Sequence, residues 1–215
     1  LAGAKRVGAY NPAKMKRLSQ KCARDIRLPL KAINSRFIAR YGSVVGKLPF
    51  GVSQSGIFFS GVLQKWGTIG TLPASIGMGD TPFKNWAGTL LDMPRAYQQL
   101  DPDLVLGVEK RKYHCRGCPL GCGGIIELPG SDQESHKPEY ETTAAFTTLL
   151  MNRDMSLVME INELLNRAGM DSISAGGTVA FAMECYEKGW LTAAETGGLE
   201  LTWGNGVAIR AVVEQ

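Results

Sequence analysis

The sequence predicts an all-α fold that is mainly helical with long irregular loops. Apolar residues recur at helical spacing in several segments that begin with capping residues, and no convincing run of alternating apolar and polar residues predicts a strand. The stretch from Trp66 to Pro94 is rich in glycine and proline and predicts a long loop. With 215 residues, 44% of them hydrophobic, the chain can bury a sizeable core, and we expect one helical domain over residues 1–215.

Composition narrows the class of protein. The net charge of +4 is a mild excess that favours a solvated surface over a nucleic-acid partner. No apolar run approaches the roughly 20 residues that span a bilayer, so no membrane segment is expected. Five cysteines, three of them clustered, do not form the pattern of a secreted disulfide framework and favour a reducing compartment, the cytoplasm. The chain starts without a methionine, and we expect it to be a piece of a longer protein.

The first predicted helix begins at Asn11, whose side chain can cap it, with Pro12 in the first turn. Its apolar face is formed by Met15, Leu18, Cys22 and Ile26. On this face Cys22 is expected to be a buried thiol that packs as a small hydrophobe. A second helix is predicted over residues 30–41, a loop over 43–53, and a third helix that closes before Gly67.

Five helices are predicted beyond residue 137. Pro138 and the acidic residues after it predict the start of a helix that runs to about Asn152. Ser156 is expected to cap the next helix, which ends at Gly169, and residues 170–174 are expected to form a short turn. Another helix is expected to end at Gly189. The helix that ends at Gly169 has an apolar stripe formed by Leu157, Ile161, Leu164, Leu165 and Ala168. The helix that ends at Gly189 has one formed by Val179, Met183 and Tyr186.

The predicted C-terminal elements depend on two capping patterns. Thr192 and Glu195 form a capping box for a short helix. Asn205 is expected to cap the last helix. The apolar face of that helix is formed by Val207, Ala208, Ala211 and Val212.

Three cysteines within eight residues carry the strongest chemical signal. Cys115, Cys118 and Cys122 are spaced so that their thiolates can converge on one metal centre if the backbone folds back, and the glycines between and after them permit such a turn. Zinc and iron–sulfur clusters both use thiolates, so the spacing does not choose between them. A triplet without a second pair favours a four-iron cluster with a distant fourth ligand. Zinc would need His136 or Cys185 as its fourth ligand.

Five stretches, in order, resemble the aldehyde ferredoxin oxidoreductase family of tungsten or molybdenum bis-pterin enzymes. They are Cys115-x2-Cys118-Pro-x-Gly-Cys122-Gly; Pro138-Glu139-Tyr140-Glu141-Thr142; Asn162-x3-Asn166-x2-Gly169-Met170-Asp171-Ser172-Ile173-Ser174; Ala182-Met183-Glu184-Cys185-Tyr186-Glu187-Lys188-Gly189; and Leu201-x-Trp203-Gly204-Asn205. The first half matches loosely, through Leu72-Pro73 and Asn85-Trp86. Members of the family look longer than this chain, with a β domain that cradles the pterins followed by two helical domains. The chain is similar to the middle domain, so the remaining domains of the parent chain are its expected partners.

The resemblance implies a role for each matching residue. Cys115, Cys118 and Cys122 match three ligands of the family's four-iron cluster, whose fourth ligand lies in the third domain. Glu141 or Glu139 matches an active-site glutamate, with Glu141 preferred.

The turn between two predicted helices matches a pterin-binding turn of the family. The matching residues are Asn166, Gly169 and Asp171, in which Asn166 replaces the usual aspartate and Met170 the usual leucine. An asparagine can still accept a hydrogen bond from a pterin amine but lacks the charge.

By resemblance, the complete enzyme oxidises an aldehyde to a carboxylate and passes electrons singly through the cluster to ferredoxin. The expected cofactors are a 4Fe-4S cluster and a tungsten or molybdenum bis-pterin, and a homodimer is one expected assembly. Two alternatives stay open. One is a non-enzymatic zinc-binding interaction module, and the other is a family member that reduces aromatic thioesters.

Overall fold

The computed structural model describes residues 10–25, 56–115 and 118–215, and in these ranges the fold is mainly helical, as predicted. The predicted helix over residues 30–41 and loop over 43–53 lie outside the described residues. The α-helices described are, in chain order, α1 Pro12–Asp25, α2 Gly56–Trp66, α3 Leu72–Met78, α4 Ala96–Gln99, α5 Pro102–Leu106, α6 Tyr140–Phe146, α7 Met155–Ala168, α8 Ser172–Glu187 and α9 Gly206–Glu214. Short 3-10 helices cover Thr68–Thr71 and Thr148–Leu150. None of the helices in the described ranges is long and apolar enough to cross a lipid bilayer.

Helix α1 begins as predicted, but the described residues of its predicted apolar face are exposed. The Asn11 Oδ1 accepts a hydrogen bond from the Lys14 N–H at 2.9 Å, which satisfies one of the free amides of the first turn. Met15, Leu18 and Cys22 are exposed, so the expectation of a buried Cys22 thiol is wrong. Helical spacing tells which residues share a face, but it does not tell whether another element covers that face.

The predicted loop from Trp66 to Pro94 is helical in its first part, which corrects the sequence interpretation. After the 3-10 turn at residues 68–71, Pro73 lies in the first turn of α3, where its missing N–H costs nothing. The helix ends at Gly79, which adopts a left-handed conformation with φ of 79°. Leu72 and Ile76 of α3 are fully buried, and only the part of the stretch beyond α3 is irregular.

A three-stranded antiparallel sheet follows α5, where the sequence predicted no strand. Its order is β1 Glu109–Tyr113, β2 Gly123–Glu127 and β3 Glu134–His136. Tyr113 pairs with Gly123, and Lys112 pairs with Gly124, so β1 and β2 bracket the cysteine segment. Strand β1 consists of charged residues and Tyr113, most of them exposed, and therefore lacks the alternation that marks a half-buried strand.

Strand β3 is attached to α7 by side-chain hydrogen bonds. The Ser135 Oγ donates to the Glu163 Oε2 at 2.6 Å, and the Asn162 Nδ2 donates to the His136 carbonyl at 2.9 Å. Partial burial acts to raise the pKa of Glu163, but hydrogen bonds from Ser135 and Arg167 outweigh it and lower this pKa below its ordinary value. The sheet is therefore attached to α7 by a carboxylate and an amide side chain of that helix.

The helices beyond residue 138 differ from the prediction mainly at their ends. The expected helix to Asn152 is interrupted at Thr147, whose φ of −117° and ψ of −90° are not helical. The cap of α7 is Asp154, not Ser156, because the Asp154 Oδ1 accepts from the Ser156 N–H at 2.8 Å. Gly169 ends α7 with φ of 67°, as predicted.

The predicted turn over residues 170–174 is the cap and first turn of α8. Thr192 and Glu195 make the expected hydrogen bond of 2.9 Å between the Thr192 N–H and the Glu195 Oε2, but the chain there forms a turn and no helix. Asn205 caps α9 as predicted, accepting from the Ala208 N–H at 3.3 Å. Val207 is 79% exposed and does not belong to the buried face of α9.

Two clusters of buried apolar side chains form the core of the described residues. One joins α2 and α3 to the sheet and includes Trp66, Leu72, Ile76, Met93, Leu100 and Ile126. The other joins α6 to α9 and includes Phe146, Leu150, Ile161, Leu165, Met183 and Ile209. In α7 the predicted stripe is confirmed at its centre, since Leu157, Ile161 and Leu165 are buried, whereas Ala168 is exposed.

Candidate functional site

The three clustered cysteines lie on the turn that joins β1 to β2. The Cys118 N–H donates to the Cys115 carbonyl at 2.9 Å, and Gly121 adopts a left-handed conformation with φ of 62°. All three thiols are free, with Cys115 exposed and Cys118 and Cys122 partly exposed. Residues 116–117 lie outside the described ranges. The antiparallel pairing of β1 with β2 thus brings the two ends of the cysteine segment together.

The two glycines after Cys122 are required by what faces them. A Cβ on Gly123 would lie 2.5 Å from the Tyr113 ring of the paired strand. A Cβ on Gly124 would collide with the carboxylate of Glu109. Real Cβ atoms do not approach other atoms so closely, so a side chain at either position would require the Tyr113 ring or the Glu109 carboxylate to move.

A corner formed by Gly67 and Thr68 connects the cysteine turn to the start of α6. A Cβ on Gly67 would lie 2.7 Å from the Cys122 carbonyl oxygen, so these two backbones are in close contact. The Thr68 hydroxyl donates to the Glu139 carboxylate and accepts from the Tyr140 N–H at 2.8 Å. We call these two residues the Gly67–Thr68 corner.

The two candidate catalytic glutamates occupy different environments. Glu139 is the N-cap residue of α6, is partly buried, and has its carboxylate held by Thr68. Glu141 lies in the first turn of α6 and is exposed, and among the described residues its carboxylate has no hydrogen-bond or ion-pair partner. Both glutamates lie at the start of α6, where a negative charge interacts favourably with the helix dipole, so this local reason for their presence is compatible with their positions.

Tyr113, the last residue of β1, has a perturbed pKa. Burial raises the pKa of Tyr113 above its ordinary value. The negative charge of Glu139 raises this pKa further, and so does that of Cys122 and Cys115. The Tyr113 hydroxyl lies 3.0 Å from the His136 Nδ1, and the two rings meet edge to face.

A buried ion pair, which the sequence did not reveal, lies beside the Gly67–Thr68 corner. The Lys137 Nζ lies 2.7 Å from a Glu109 carboxylate oxygen, and only 2% and 7% of the two side chains are exposed. The other oxygen of Glu109 lies 3.1 Å from the Lys112 Nζ. Burial lowers the pKa of Lys137, and the hydrogen bond to Glu109 opposes that shift.

The predicted pterin-binding turn is the junction of α7 and α8. The Gly169 N–H donates to the Asn166 carbonyl at 3.3 Å, and the Met170 N–H donates to the Leu165 carbonyl at 3.0 Å. The Asp171 Oδ2 accepts from the Ser174 N–H at 2.8 Å and caps α8. Hydrogen bonds from Ser174 lower the pKa of Asp171, so this carboxylate is charged near neutral pH.

The starts of α6 and α8 lie against each other. The Thr142 Oγ1 and the Ser172 Oγ are 2.6 Å apart, and a Cβ on Gly176 would lie 2.7 Å from the Cβ of Ala145. Because Glu141 precedes Thr142 and Asp171 precedes Ser172, the preferred candidate base and the candidate pterin turn belong to adjoining helix starts.

The other candidate metal ligands lie on different elements from the cysteine turn. His136 contacts Tyr113, and Cys185 lies on α8. Within residues 10–25, 56–115 and 118–215, no group of three or more His, Cys, Asp or Glu side chains lies close enough together to hold a metal ion. The type of ligand nevertheless fits, because three free thiols on one turn could bind three irons of a four-iron cluster. The fourth ligand would then come from another part of the protein.

Comparison with known proteins places these features in context. A family model described as aldehyde ferredoxin oxidoreductase, domains 2 and 3, matches residues 54–215. The tungsten-containing aldehyde ferredoxin oxidoreductase of Pyrococcus furiosus is 34% identical over 156 residues, which are 72% of this chain and 25% of that protein. The enzyme of the same description from Thermococcus kodakarensis is 33% identical over 156 residues, with the same shares.

A relative with a different description also matches. The WOR-like subunit of the aliphatic sulfonate oxidoreductase of Pyrococcus furiosus is 30% identical over 159 residues, 69% of this chain and 24% of that protein. The chain therefore spans about a quarter of the length of the curated relatives it matches.

Proposed function

The chain belongs to the aldehyde ferredoxin oxidoreductase family, and on this basis we propose that it is the part of a tungsten- or molybdenum-pterin oxidoreductase that holds the electron-transfer cluster. The proposed overall reaction converts an aldehyde and water to a carboxylic acid, releasing two protons and two electrons, with ferredoxin as the electron acceptor. When bound, the pterin metal would accept the electron pair, and a 4Fe-4S cluster would pass the electrons on one at a time.

The observation that carries this proposal is the Gly67–Thr68 corner. It contacts the backbone of Cys122 on one side and binds the carboxylate of Glu139 on the other, so the thiol turn and the acidic start of α6 are held next to the same corner. In the proposal, Cys115, Cys118 and Cys122 hold three irons of the cluster. The start of α8, with Asp171 as its cap, would face the pterin together with Asn166 in the last turn of α7 and Gly169 after it.

Glu141 is the proposed general base. Its neighbours in the acidic segment are engaged in internal contacts, since Glu139 and Tyr140 bind Thr68 and Thr142 binds Ser172. The Glu141 carboxylate is exposed and can therefore take up a proton from water or from the aldehydic carbon as the carboxylate product forms.

A test is aldehyde-dependent dye reduction by the full-length protein carrying Glu141→Gln. Loss of a general base is expected to lower kcat by about 100-fold or more. Glu200→Gln removes another exposed carboxylate, and we expect it to leave turnover unchanged. Unchanged turnover in Glu141→Gln would remove this residue from the chemistry.

The metal is tested separately by anaerobic purification. An iron–sulfur cluster gives brown absorption at roughly 400 nm that bleaches on reduction. Colourless protein with stoichiometric zinc would instead support the interaction-module alternative.

A second substrate class is supported by the match to an aliphatic sulfonate oxidoreductase subunit. Side-by-side assays with aldehydes and aliphatic sulfonates as electron donors separate the two. Aromatic thioesters, the third class, would be tested as electron acceptors with reduced ferredoxin.

A further inference from the structure

Two buried charged residues and one partly exposed lysine form a group that the proposed cluster ligation does not use. The carboxylate of Glu109 bridges two ammonium groups, with Lys137 at 2.7 Å and Lys112 at 3.1 Å from its two oxygens. The Lys112 Nζ also donates to the Lys65 carbonyl at 2.9 Å, which fixes this side chain against the end of α2. The group of Lys112, Glu109 and Lys137, which we call the charge triad, carries a net charge of +1.

The charge triad lies directly behind the cysteine turn. The position that a Cβ on Gly67 would take is 2.7 Å from the Cys122 carbonyl oxygen and 3.2 Å from the Lys137 Nζ, so the ammonium and the Cys122 backbone flank the same glycine. The Glu109 carboxylate packs against Gly124, the second residue after Cys122. The Lys137 N–H donates to the Gly124 carbonyl at 2.8 Å.

Stability gives no sufficient reason for burying these charges. Removing a lysine and a carboxylate from water carries a desolvation cost that their attraction often does not exceed, and apolar residues of similar size commonly serve as well. A buried charge does, however, act strongly on nearby charges because the surrounding dielectric constant is low. The reduction of an iron–sulfur cluster adds one negative charge, so its potential responds to fixed charges around it.

We infer that the charge triad sets the reduction potential of the iron–sulfur cluster held by Cys115, Cys118 and Cys122. This inference rests on the proposed function, because it needs the cluster. None of the three triad residues ligates iron. Lys137 and Lys112 stabilise the reduced cluster, and Glu109 both holds the two ammonium groups in place and offsets part of their charge. The Glu139 carboxylate, which also acts on Lys137, offsets a further part.

The test is an anaerobic redox titration of the full-length protein, reconstituted with iron and sulfide and followed by electron paramagnetic resonance. Lys137→Met removes a positive charge and is expected to lower the potential, whereas Glu109→Gln removes a negative charge and is expected to raise it. A unit charge about 10 Å away at an effective dielectric constant of about 20 changes the reduction equilibrium on the order of tenfold, or about 59 mV for a one-electron couple.

Three further variants make the sign of the shift decisive. The double variant Lys137→Met/Glu109→Gln restores charge balance, and its potential is expected to return close to that of the unaltered protein. Lys112→Met removes a positive charge whose side chain is 37% exposed, so it is expected to fold and to lower the potential by less than Lys137→Met does. Lys110→Met removes an exposed cation that pairs with Glu127 on the same strands, and it is expected to shift the potential little.

A merely structural role would shift the potential in the same direction for both single variants, or would not shift it, and either result would overturn the inference. If one of the buried variants fails to fold, an unchanged potential in Lys112→Met would also overturn it, and a lowered potential would support it. Absence of any cluster in the unaltered protein would overturn the proposed function together with the inference. A cluster that forms but whose reduction potential does not change in these variants would overturn the inference alone.

Discussion

Replacing Gly67 with alanine adds a methyl group at a corner that has no room for it. Gly67 has φ of 79° and ψ of −163°, a combination that essentially only glycine adopts, and an L side chain there costs roughly 1–3 kcal/mol. The new Cβ would also lie 2.7 Å from the Cys122 carbonyl and 3.1 Å from the Lys137 Cε. Forcing packed neighbours apart typically costs about 1–3 kcal/mol more.

Gly67→Ala is therefore expected to lower the free energy of unfolding by about 2–6 kcal/mol. Gly79→Ala is the matched control, because Gly79 has the same φ of 79° at the end of α3, but a Cβ there meets no atom within 4 Å. Only the left-handed backbone is penalised in the control, at a net cost of about 1 kcal/mol.

The assay is urea denaturation followed by circular dichroism, with the free energies compared at equal m values. Because the clash falls on the Cys122 carbonyl, Gly67→Ala is also expected to take up less iron on reconstitution than Gly79→Ala does. Equal losses of stability in the two variants would refute the reasoning, since they would mean that the close contact between the corner and the cysteine turn does not exist.

Three other predictions concern stability. Lys137→Met leaves the Glu109 carboxylate buried without its main partner and is expected to lower the free energy of unfolding by about 3–5 kcal/mol, measured by urea denaturation. Lys137→Met/Glu109→Gln is expected to recover most of this loss. A double variant as unstable as the single one would contradict the pairing. Asp154→Ala removes the observed cap of α7 and is expected to lower the free energy of unfolding by about 1 kcal/mol. Ser156→Ala, at the cap position predicted from sequence, is expected to lower it by less than about 0.5 kcal/mol. The reverse order in thermal melting would contradict the assignment of the cap. Glu163 has a lowered pKa in the folded protein, so the stability it contributes is present above its ordinary pKa of 4.5 and is lost as the pH falls through the lowered value. Glu163→Gln is expected to flatten the pH dependence of the melting temperature in that acidic range, and an unaltered profile would show that this carboxylate is not linked to folding.

Local sequence signals predicted the helices better than their ends. Asn11 and Asn205 were recognised as caps because each precedes a clear helical repeat. At α7 both Asp154 and Ser156 are residue types that cap helices, and periodicity locates an end only to within a few residues. The interruption at Thr147 falls in a stretch without glycine or proline, so no helix-breaking residue marks it in the sequence.

The sheet and the buried charges depend on pairing between distant residues, which a single sequence does not show. Strand β1 is almost entirely charged, so its pairing with β2 leaves no alternating pattern, and the glycines of β2 resemble a loop. Lys137 and Glu109 are 28 positions apart, and each alone looks like a surface residue. The cysteine triplet, in contrast, is a local pattern, and its position on one turn was predictable.

The acidic segment shows how contacts can assign roles that a motif leaves open. From sequence, Glu139 and Glu141 are two carboxylates in one matching stretch, and both suit the first turn of a helix. In the structure, Thr68 binds the Glu139 carboxylate and the Tyr140 N–H, so exchanging Glu139 for glutamine would disturb the Gly67–Thr68 corner. Glu141 has no such internal contact among the described residues, so its removal should leave the fold intact. A loss of turnover in Glu141→Gln without a loss of stability is therefore attributable to chemistry, whereas a loss in Glu139→Gln is expected to come with a change at the cysteine turn.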